Sequence, residues 1–240
     1  MTEPAGRPPP IHIVPTAPLA DRVLLPGDPG RALRLAQALL EAPKMFNHHR
    51  GLWGYTGQAT VDGRPLTIQS TGMGGPSTAI VVAELAQLGA ESLVRVGTCG
   101  ALRPEIAAGD LLIVTEAICD DGTSRALSGS ERVAPAQDLL SALVASGGGE
   151  ARQVVAVSTD LFYDRPHGAH GRWAALGASA VELETATVLA LARRRRLRAA
   201  SLLVAADAIG PDDGRRRIEP ERLEDAERAL GRLAARALSA

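Results

Sequence analysis

The stretch Val23-Leu24-Leu25-Pro26-Gly27-Asp28-Pro29-Gly30-Arg31-Ala32-Leu33-Arg34-Leu35 decides the fold. Its three leading apolar residues read as a short buried strand, Pro26-Gly27-Asp28-Pro29 as a turn, and the pattern from Gly30 to about Leu40 as a helix. Strand, glycine turn and helix start form the unit from which α/β sheets are assembled, and they set backbone N–H groups and a guanidinium where an oxyanion is favoured. Working outward, the same order returns. Residues 53–70 alternate about Asp62-Gly63, a hairpin signal, and Thr71-Gly72-Met73-Gly74-Gly75-Pro76-Ser77 is a second glycine-rich turn opening a helix over about 78–88. Residues 92–96 read as a buried strand running into Gly97-Thr98-Cys99-Gly100. Further strands are expected at 111–115, 153–157 and 201–205, and helices at 135–144, 180–194 and 219–238. The last helix has Pro220 in its first turn and an apolar stripe of Leu223, Ala226, Leu230, Leu233 and Ala237. This alternation predicts a single α/β domain: a mainly parallel, mixed twisted central sheet with helices on both faces. No repeat or composition break divides the chain, so a short disordered tail over 1–10 and one domain over 11–240 are expected.

Composition narrows the function. The 240 residues are 45% hydrophobic and 22% charged, enough apolar surface to build a core and too little charge for a disordered chain. A formal charge of −1, from 26 basic and 27 acidic residues, gives no global field for a polyanion or an anionic membrane. Cys99 and Cys119 alone cannot make a disulfide framework or a four-thiolate metal site. With no apolar targeting segment and no run of eighteen apolar residues, a cytoplasmic protein is expected. Lys44 is the sole lysine, so a Gly-Lys-Ser/Thr phosphate loop is absent and Schiff-base chemistry would rest on that one residue. Neither His48-His49 nor the pair His167 and His170 has a third ligand at metal spacing, and no metal is assigned. The run Arg193 to Arg196 with Arg198 reads as a solvated helix end favoured by the dipole, rather than a nucleic-acid patch.

Ligands of open α/β sheets bind beyond the carboxyl ends of the strands. Each turn found there also has a plain structural explanation. Two arginines, Arg31 and Arg95, with Thr98 and helix starts at one sheet edge suit a tetrahedral dianion. Arg95 lies in the apolar run Leu93-Val94-Arg95-Val96 and needs a partner, which a core carboxylate would also supply. Glu182 and Glu184 straddle Leu183 in an apolar stretch; they can accept from sugar hydroxyls, or one can cap a helix. Asp207, directly after the strand at 201–205, is placed to donate a proton to a ligand or to cap a turn.

Read together, these turns resemble the nucleoside phosphorylase family, which includes hexameric bacterial purine nucleoside phosphorylases, uridine phosphorylases and methylthioadenosine phosphorylases. The likeness covers nearly the whole chain. It is carried by Pro9-Pro10-Ile11-His12, Leu25-Pro26-Gly27-Asp28-Pro29-Gly30-Arg31, Asn47-His48-His49-Arg50-Gly51, Gly72-Met73-Gly74-Gly75-Pro76-Ser77, Arg95-Val96-Gly97-Thr98-Cys99-Gly100, Asp160-Leu161-Phe162-Tyr163, Val181-Glu182-Leu183-Glu184 and Ala206-Asp207. The resemblance implies a phosphate cradle of Gly27, Arg31, Arg95 and Thr98, joined by Arg50 from a neighbouring subunit. It implies a ribose site of Met73, Leu183 and Glu184, with His12 crossing the same interface to the 5′-hydroxyl. Phe162 and Glu182 would line the base, and Asp207 would be the catalytic acid facing purine N7. No cofactor is implied beyond inorganic phosphate as co-substrate. The implied assembly is a dimer with shared sites, arranged as a trimer of dimers.

Three positions depart from the family pattern. Leu183 stands where methionine is frequent, Ala206 replaces a serine before the acid, and the downstream arginine that assists the acid has four candidates: Arg215, Arg216, Arg217 and Arg222. Uridine phosphorylases read uracil with a Gln-x-Arg pair after the stacking aromatic, and no glutamine follows Gln153 here. Related nucleosidases lack the phosphate arginines, whereas Arg31, Arg50 and Arg95 are all present. The resemblance therefore implies purine nucleoside phosphorolysis, with uridine phosphorylase as the alternative, and methylthioadenosine phosphorylase or a catalytically weak nucleoside-binding relative as further readings.

Overall fold

The computed structural model describes residues 9–163, 166–209 and 214–240. Of the tail expected over 1–10, residues 1–8 lie outside the described residues, and Pro9 and Pro10 have no regular structure. The chain runs β1 (Arg22–Leu25), α1 (Pro29–Leu39), β2 (Leu40–Asn47), a 3-10 turn (His49–Gly51), β3 (Gly54–Ala59), β4 (Pro65–Gln69), α2 (Gly74–Leu88), β5 (Ser92–Ala101), β6 (Leu111–Asp120) and α3 (Gly122–Ser128). It continues β7 (Arg132–Val133), α4 (Gln137–Gly147), β8 (Ala151–Thr159), α5 (Ala169–Ala175), β9 (Ala180–Glu182), α6 (Thr185–Arg195), β10 (Arg198–Ile209), β11 (Arg215–Arg217) and α7 (Pro220–Ala237).

All the described strands join one sheet, in the order β11-β10-β6-β8-β9-β5-β1-β4-β3-β2, with β7 on β6. Because β10 pairs with both β5 and β6, the strands β5, β10, β6, β8 and β9 close on themselves. The parallel pairs β1–β5, β1–β4, β5–β10, β6–β8 and β8–β9 form the spine, and antiparallel pairs close the ring and extend the rims. The sheet is thus mixed, more evenly so than the alternation of strands and helices suggested. At the open rim β2 carries Pro43 and two register irregularities against β3, between Glu41 and Lys44 and between Met45 and Asn47.

Period-two alternation divides the core between the two faces. Val23, Leu25, Leu93 and Leu203 pack with Val81, Val82 and Leu85 of α2 and Val188 of α6. Leu24, Val94, Leu202 and Val204 pack with Leu35 of α1, Leu139 of α4 and Leu230 of α7. Burying each such side chain contributes about 1.5–3 kcal/mol, which is why the central strands read as continuous apolar runs. One expectation fails: residues 180–182 are strand β9, and the helix expected over 180–194 starts only at Thr185. Pairing with β5 and β8 decides the matter, and it brings Glu182, Leu183 and Glu184 to the carboxyl end of a strand.

Candidate active site

The carboxyl ends of β1, β5, β9 and β10 and the start of α2 surround a cavity of about 570 Å³. It is lined by Gly27, Arg31, Met73, Arg95, Thr98, Phe162, Glu182, Leu183, Glu184 and Asp207, so ten of the sequence-derived site residues come together. His12 and Arg50 do not line it. Arg215 and Arg217 do.

The cationic side is set by α1 and β5. Asp28 caps α1, accepting from the N–H groups of Gly30 at 3.2 Å and Arg31 at 2.7 Å. This corrects one expectation: those two helix-start amides serve a carboxylate of the chain itself rather than standing open to an anion. The Arg31 side chain folds back against α7, where its Nε donates to Glu227 Oε1 at 2.6 Å. Arg95 is buried, and its Nε and Nη2 donate to Glu182 Oε2 at 3.0 and 2.9 Å while Nη2 also meets Glu184 Oε2 at 2.5 Å. Both readings of Arg95 therefore meet in one place, because the core carboxylates it pairs with themselves line the cavity.

The two glutamates differ in what remains free. Glu182 Oε2 also accepts from the N–H groups of Glu184 and Thr185, at 2.9 and 2.8 Å, capping α6. Its Oε1 accepts from Ser158 Oγ, whose oxygen accepts in turn from Ala186 N–H at 2.8 Å. Glu184 has fewer partners, Arg95 and the Gly74 N–H at 2.6 Å. Burial pushes its carboxyl above the usual range, with Arg95 opposing and the charge of Glu182 adding. Glu184 is thus the carboxylate with capacity for a ligand's hydroxyls.

Asp207 reaches the cavity through an irregularity in β10. Ala205 pairs with Cys99 and Asp207 with Gly100, so Ala206 is the extra residue of a bulge, and Ala206 and Asp207 both face the cavity. Glycine at position 100 leaves room for this close approach: a Cβ there would lie 2.9 Å from Arg215 Nη1 and 3.0 Å from Asp207 Oδ1, displacing the ends of both side chains. Of the four candidate arginines, Arg215 contacts the carboxylate of Asp207, carried there by the antiparallel pairing of β11 with the end of β10. Beside them burial drives the Cys99 thiol far above its usual range, with Glu182 and Asp207 adding, so it stays an unreactive thiol. Phe162 is half exposed at the rim and packs edge-on against Tyr163 at 4.8 Å between ring centres, and Met73 is 84% exposed.

His12 is held elsewhere. Its Nδ1 meets Glu84 Oε1 at 2.7 Å, and the same carboxylate accepts from the N–H groups of Ile11, His12 and Ile13. Asn47 ties this segment to the turn bearing Arg50, accepting from Val14 N–H at 2.9 Å and donating to Leu52 O at 2.6 Å. Ile11, Val14, Met45 and Trp53 are exposed apolar side chains on these same segments. No group of three or more metal-ligating side chains occurs among the described residues, and no helix among them is long and apolar enough to cross a membrane.

A mixed sheet whose strand ends gather arginines, two glutamates and an aspartate around one cavity defines an α/β protein with its candidate site at the carboxyl edge of the sheet. The chain belongs to the phosphorylase superfamily, whose family model matches residues 21–239. It is 40% identical over 207 residues to the DeoD-type purine nucleoside phosphorylase of Geobacillus kaustophilus, covering 83% of this chain and 86% of that one. It is 38% identical over 199 residues to a guanosine phosphorylase of Halorubrum lacusprofundi, covering 79% of this chain and 81% of the relative. Among solved structures, uridine phosphorylase from Vibrio fischeri superposes with a TM-score of 0.81 at 25% identity, covering 92% of each chain.

Proposed function

We propose that the protein is a purine nucleoside phosphorylase, splitting purine ribonucleosides and 2′-deoxyribonucleosides with inorganic phosphate to give the free base and the pentose 1-phosphate, in cytoplasmic nucleoside salvage. The observation that carries this reading is the convergence of Arg31, Arg95, Glu184 and Asp207 on one cavity. Arg95 and the Gly100 that adjoins Asp207 lie on the same strand, and the Arg95 guanidinium extends over Gly97, three residues before Gly100, so the cationic and acidic groups are separated by roughly 10 Å of strand. That span accommodates phosphate, pentose and base in series.

The chemistry follows from these groups. Phosphate held by Gly27, Arg31, Arg95 and Thr98 attacks C1′; the new O–C1′ bond forms as the C1′–N9 bond breaks, and its electron pair leaves with the base. The pentose gains positive charge, which the phosphate dianion offsets, and Asp207 delivers a proton to N7 of the departing base. Glu184 accepts from the 2′- and 3′-hydroxyls above Met73 and beside Leu183, and Phe162 stacks on the base. Glu182, whose oxygens are all engaged within the chain, holds Arg95 and the start of α6 beside the base. Arg215 gives up or shares its hold on Asp207 as the base arrives. The reaction needs no cofactor beyond phosphate.

His12 and Arg50 complete the site of a second copy. Support comes from their absence from the chain's own cavity and from the exposed Ile11, Val14, Met45 and Trp53 beside them, an apolar surface suited to a partner. The assembly is a dimer with shared sites, repeated as a trimer of dimers. The purine relatives at 38–40% identity favour purine over uridine, for which the Vibrio structure supplies a likeness at 25%.

Incubating the protein with inosine, adenosine, uridine and methylthioadenosine, each with and without phosphate, tests the reading. Phosphate-dependent release of purine is expected. Turnover of uridine alone would replace it with the pyrimidine reading, turnover without phosphate with a nucleosidase, and binding without product with the weak relative that Ala206 suggests.

A further inference from the structure

We propose that Glu227, on the C-terminal helix outside the cavity, is the positioning residue for the Arg31 guanidinium and thereby sets phosphate affinity. The inference rests on Arg31 being a phosphate ligand.

Glu227 is 2% exposed and sits on the apolar stripe of α7 between Leu223 and Leu230. A carboxylate at such a place must be fully partnered, and it is: Oε1 accepts from Arg31 Nε at 2.6 Å and Oε2 from Arg34 Nη2 at 2.8 Å. Arg31 and Arg34 are one helical turn apart on α1, so a single carboxylate grips both. Arg34 also lies 3.7 Å from Asp28, the residue that caps α1. Cap, second arginine, carboxylate and first arginine form one chain of contacts leading to the cavity.

Two consequences follow for a bound anion. The first is geometric. A guanidinium is a rigid planar fork on a flexible stem; with Nε pinned to Glu227 and Nη1 3.5 Å from the Val96 carbonyl, its plane is fixed and Nη2 has no partner among the described residues. The second is electrostatic. A lone carboxylate beside a phosphate site would repel the dianion, but here Glu227 and Asp28 are matched by Arg31 and Arg34, so the network adds no net negative charge beside the ligand. The grip is itself held firmly, because α7 approaches α1 closely at Gly231, where a Cβ would fall 2.5 Å from Leu35 Cδ2.

The test is steady-state phosphorolysis by the full chain, varying phosphate at saturating nucleoside and then the reverse. Glu227→Ala is expected to raise the KM for phosphate about tenfold, the size of effect seen when the support of a ligand-binding side chain is removed, with the nucleoside KM nearly unchanged. Glu227→Gln keeps an oxygen for Arg31 Nε and is expected to restore most of the affinity. Arg34→Met, at the more exposed end of the network, is expected to raise the phosphate KM several-fold and provides a reading even if Glu227→Ala does not fold. An unchanged phosphate KM in folded Glu227→Ala or in Arg34→Met would overturn the proposal, as would equal changes in both KM values. Arg31→Gln separates the two levels: if it leaves the phosphate KM unchanged, the assignment of Arg31 falls and this inference with it. If it raises the KM while the Glu227 variants do not, only the positioning role of Glu227 falls.

Discussion

Replacing Arg95 by leucine would strand two carboxylates. Arg95, Glu182 and Glu184 have side chains only 4%, 1% and 7% exposed, and the arginine bonds to both acids. Breaking a buried pair by removing one member costs about 3–5 kcal/mol, because the remaining charge is left without compensation. For a chain of this size each kcal/mol moves Tm by about 2–4 °C, so a fall of roughly 6–20 °C is expected at pH 8. The loss must depend on pH. The Glu184 carboxyl already titrates above its ordinary 4.5 because burial outweighs the opposing Arg95, and without Arg95 it rises further. A carboxyl whose folded value exceeds its unfolded value leaves stability intact below the unfolded value and erodes it as pH climbs through the folded one. Arg95→Leu should therefore melt close to the parent near pH 4 and far below it at pH 8, and adding Glu184→Gln should recover much of the deficit at pH 8. Melting curves followed by circular dichroism at the two pH values decide this. An equal deficit at both, or no recovery in the double variant, would refute the claim that this ion cluster holds the sheet end together.

Asp207→Ala should lower kcat by about a hundred-fold to ten-thousand-fold, with a smaller loss for nucleosides whose base leaves readily without a proton; initial rates across such a series measure it. Gly100→Ala should reduce kcat while leaving Tm within a few degrees, since the added carbon presses on Asp207 and Arg215 rather than on the core, and paired kinetic and melting data would show the split. Burial disfavours the charged form of Glu84, yet its bonds to His12 and to the N–H groups of Ile13, Ile11 and His12 hold it below its ordinary 4.5. Its contribution is thus present above pH 4.5 and disappears as pH falls through the depressed value, so the amide-exchange protection factors at residues 11–13, corrected for the intrinsic rate at each pH, should fall in acid, and at neutral pH in Glu84→Gln.

The glycine-bearing turns were legible because their signals are local. Val23-Leu24-Leu25 followed by Pro26-Gly27-Asp28-Pro29 gave β1 and α1 nearly to the residue, and Asp62-Gly63 lies between β3 and β4. Strand β9 was not legible: three residues are too few for a period, and its conformation is imposed by β5 and β8, distant in sequence. For the same reason β5 was expected to stop at Val96, whereas pairing with β10 carries it to Gly100 and pairing with β9 to Ala101. The partner of Arg31 did leave a trace, since Leu223, Glu227, Leu230 and Ala234 share one stripe of α7, and an acid on an apolar stripe announces a buried cation. The contact of Arg215 with Asp207 left none, because it depends on how β11 registers against a bulged strand.

The rim strand β2 is guarded against promiscuous zippering. Its Pro43 has no amide hydrogen to offer, its two irregularities spoil the regular spacing of backbone donors and acceptors, and Glu41 and the chain's sole lysine, Lys44, are exposed on it. Copies of this chain are thereby steered away from ribbon-like, open-ended stacking along this strand. Straightening that rim, with valine in place of both Pro43 and Lys44, would be the shortest route from an enzyme to a fibre.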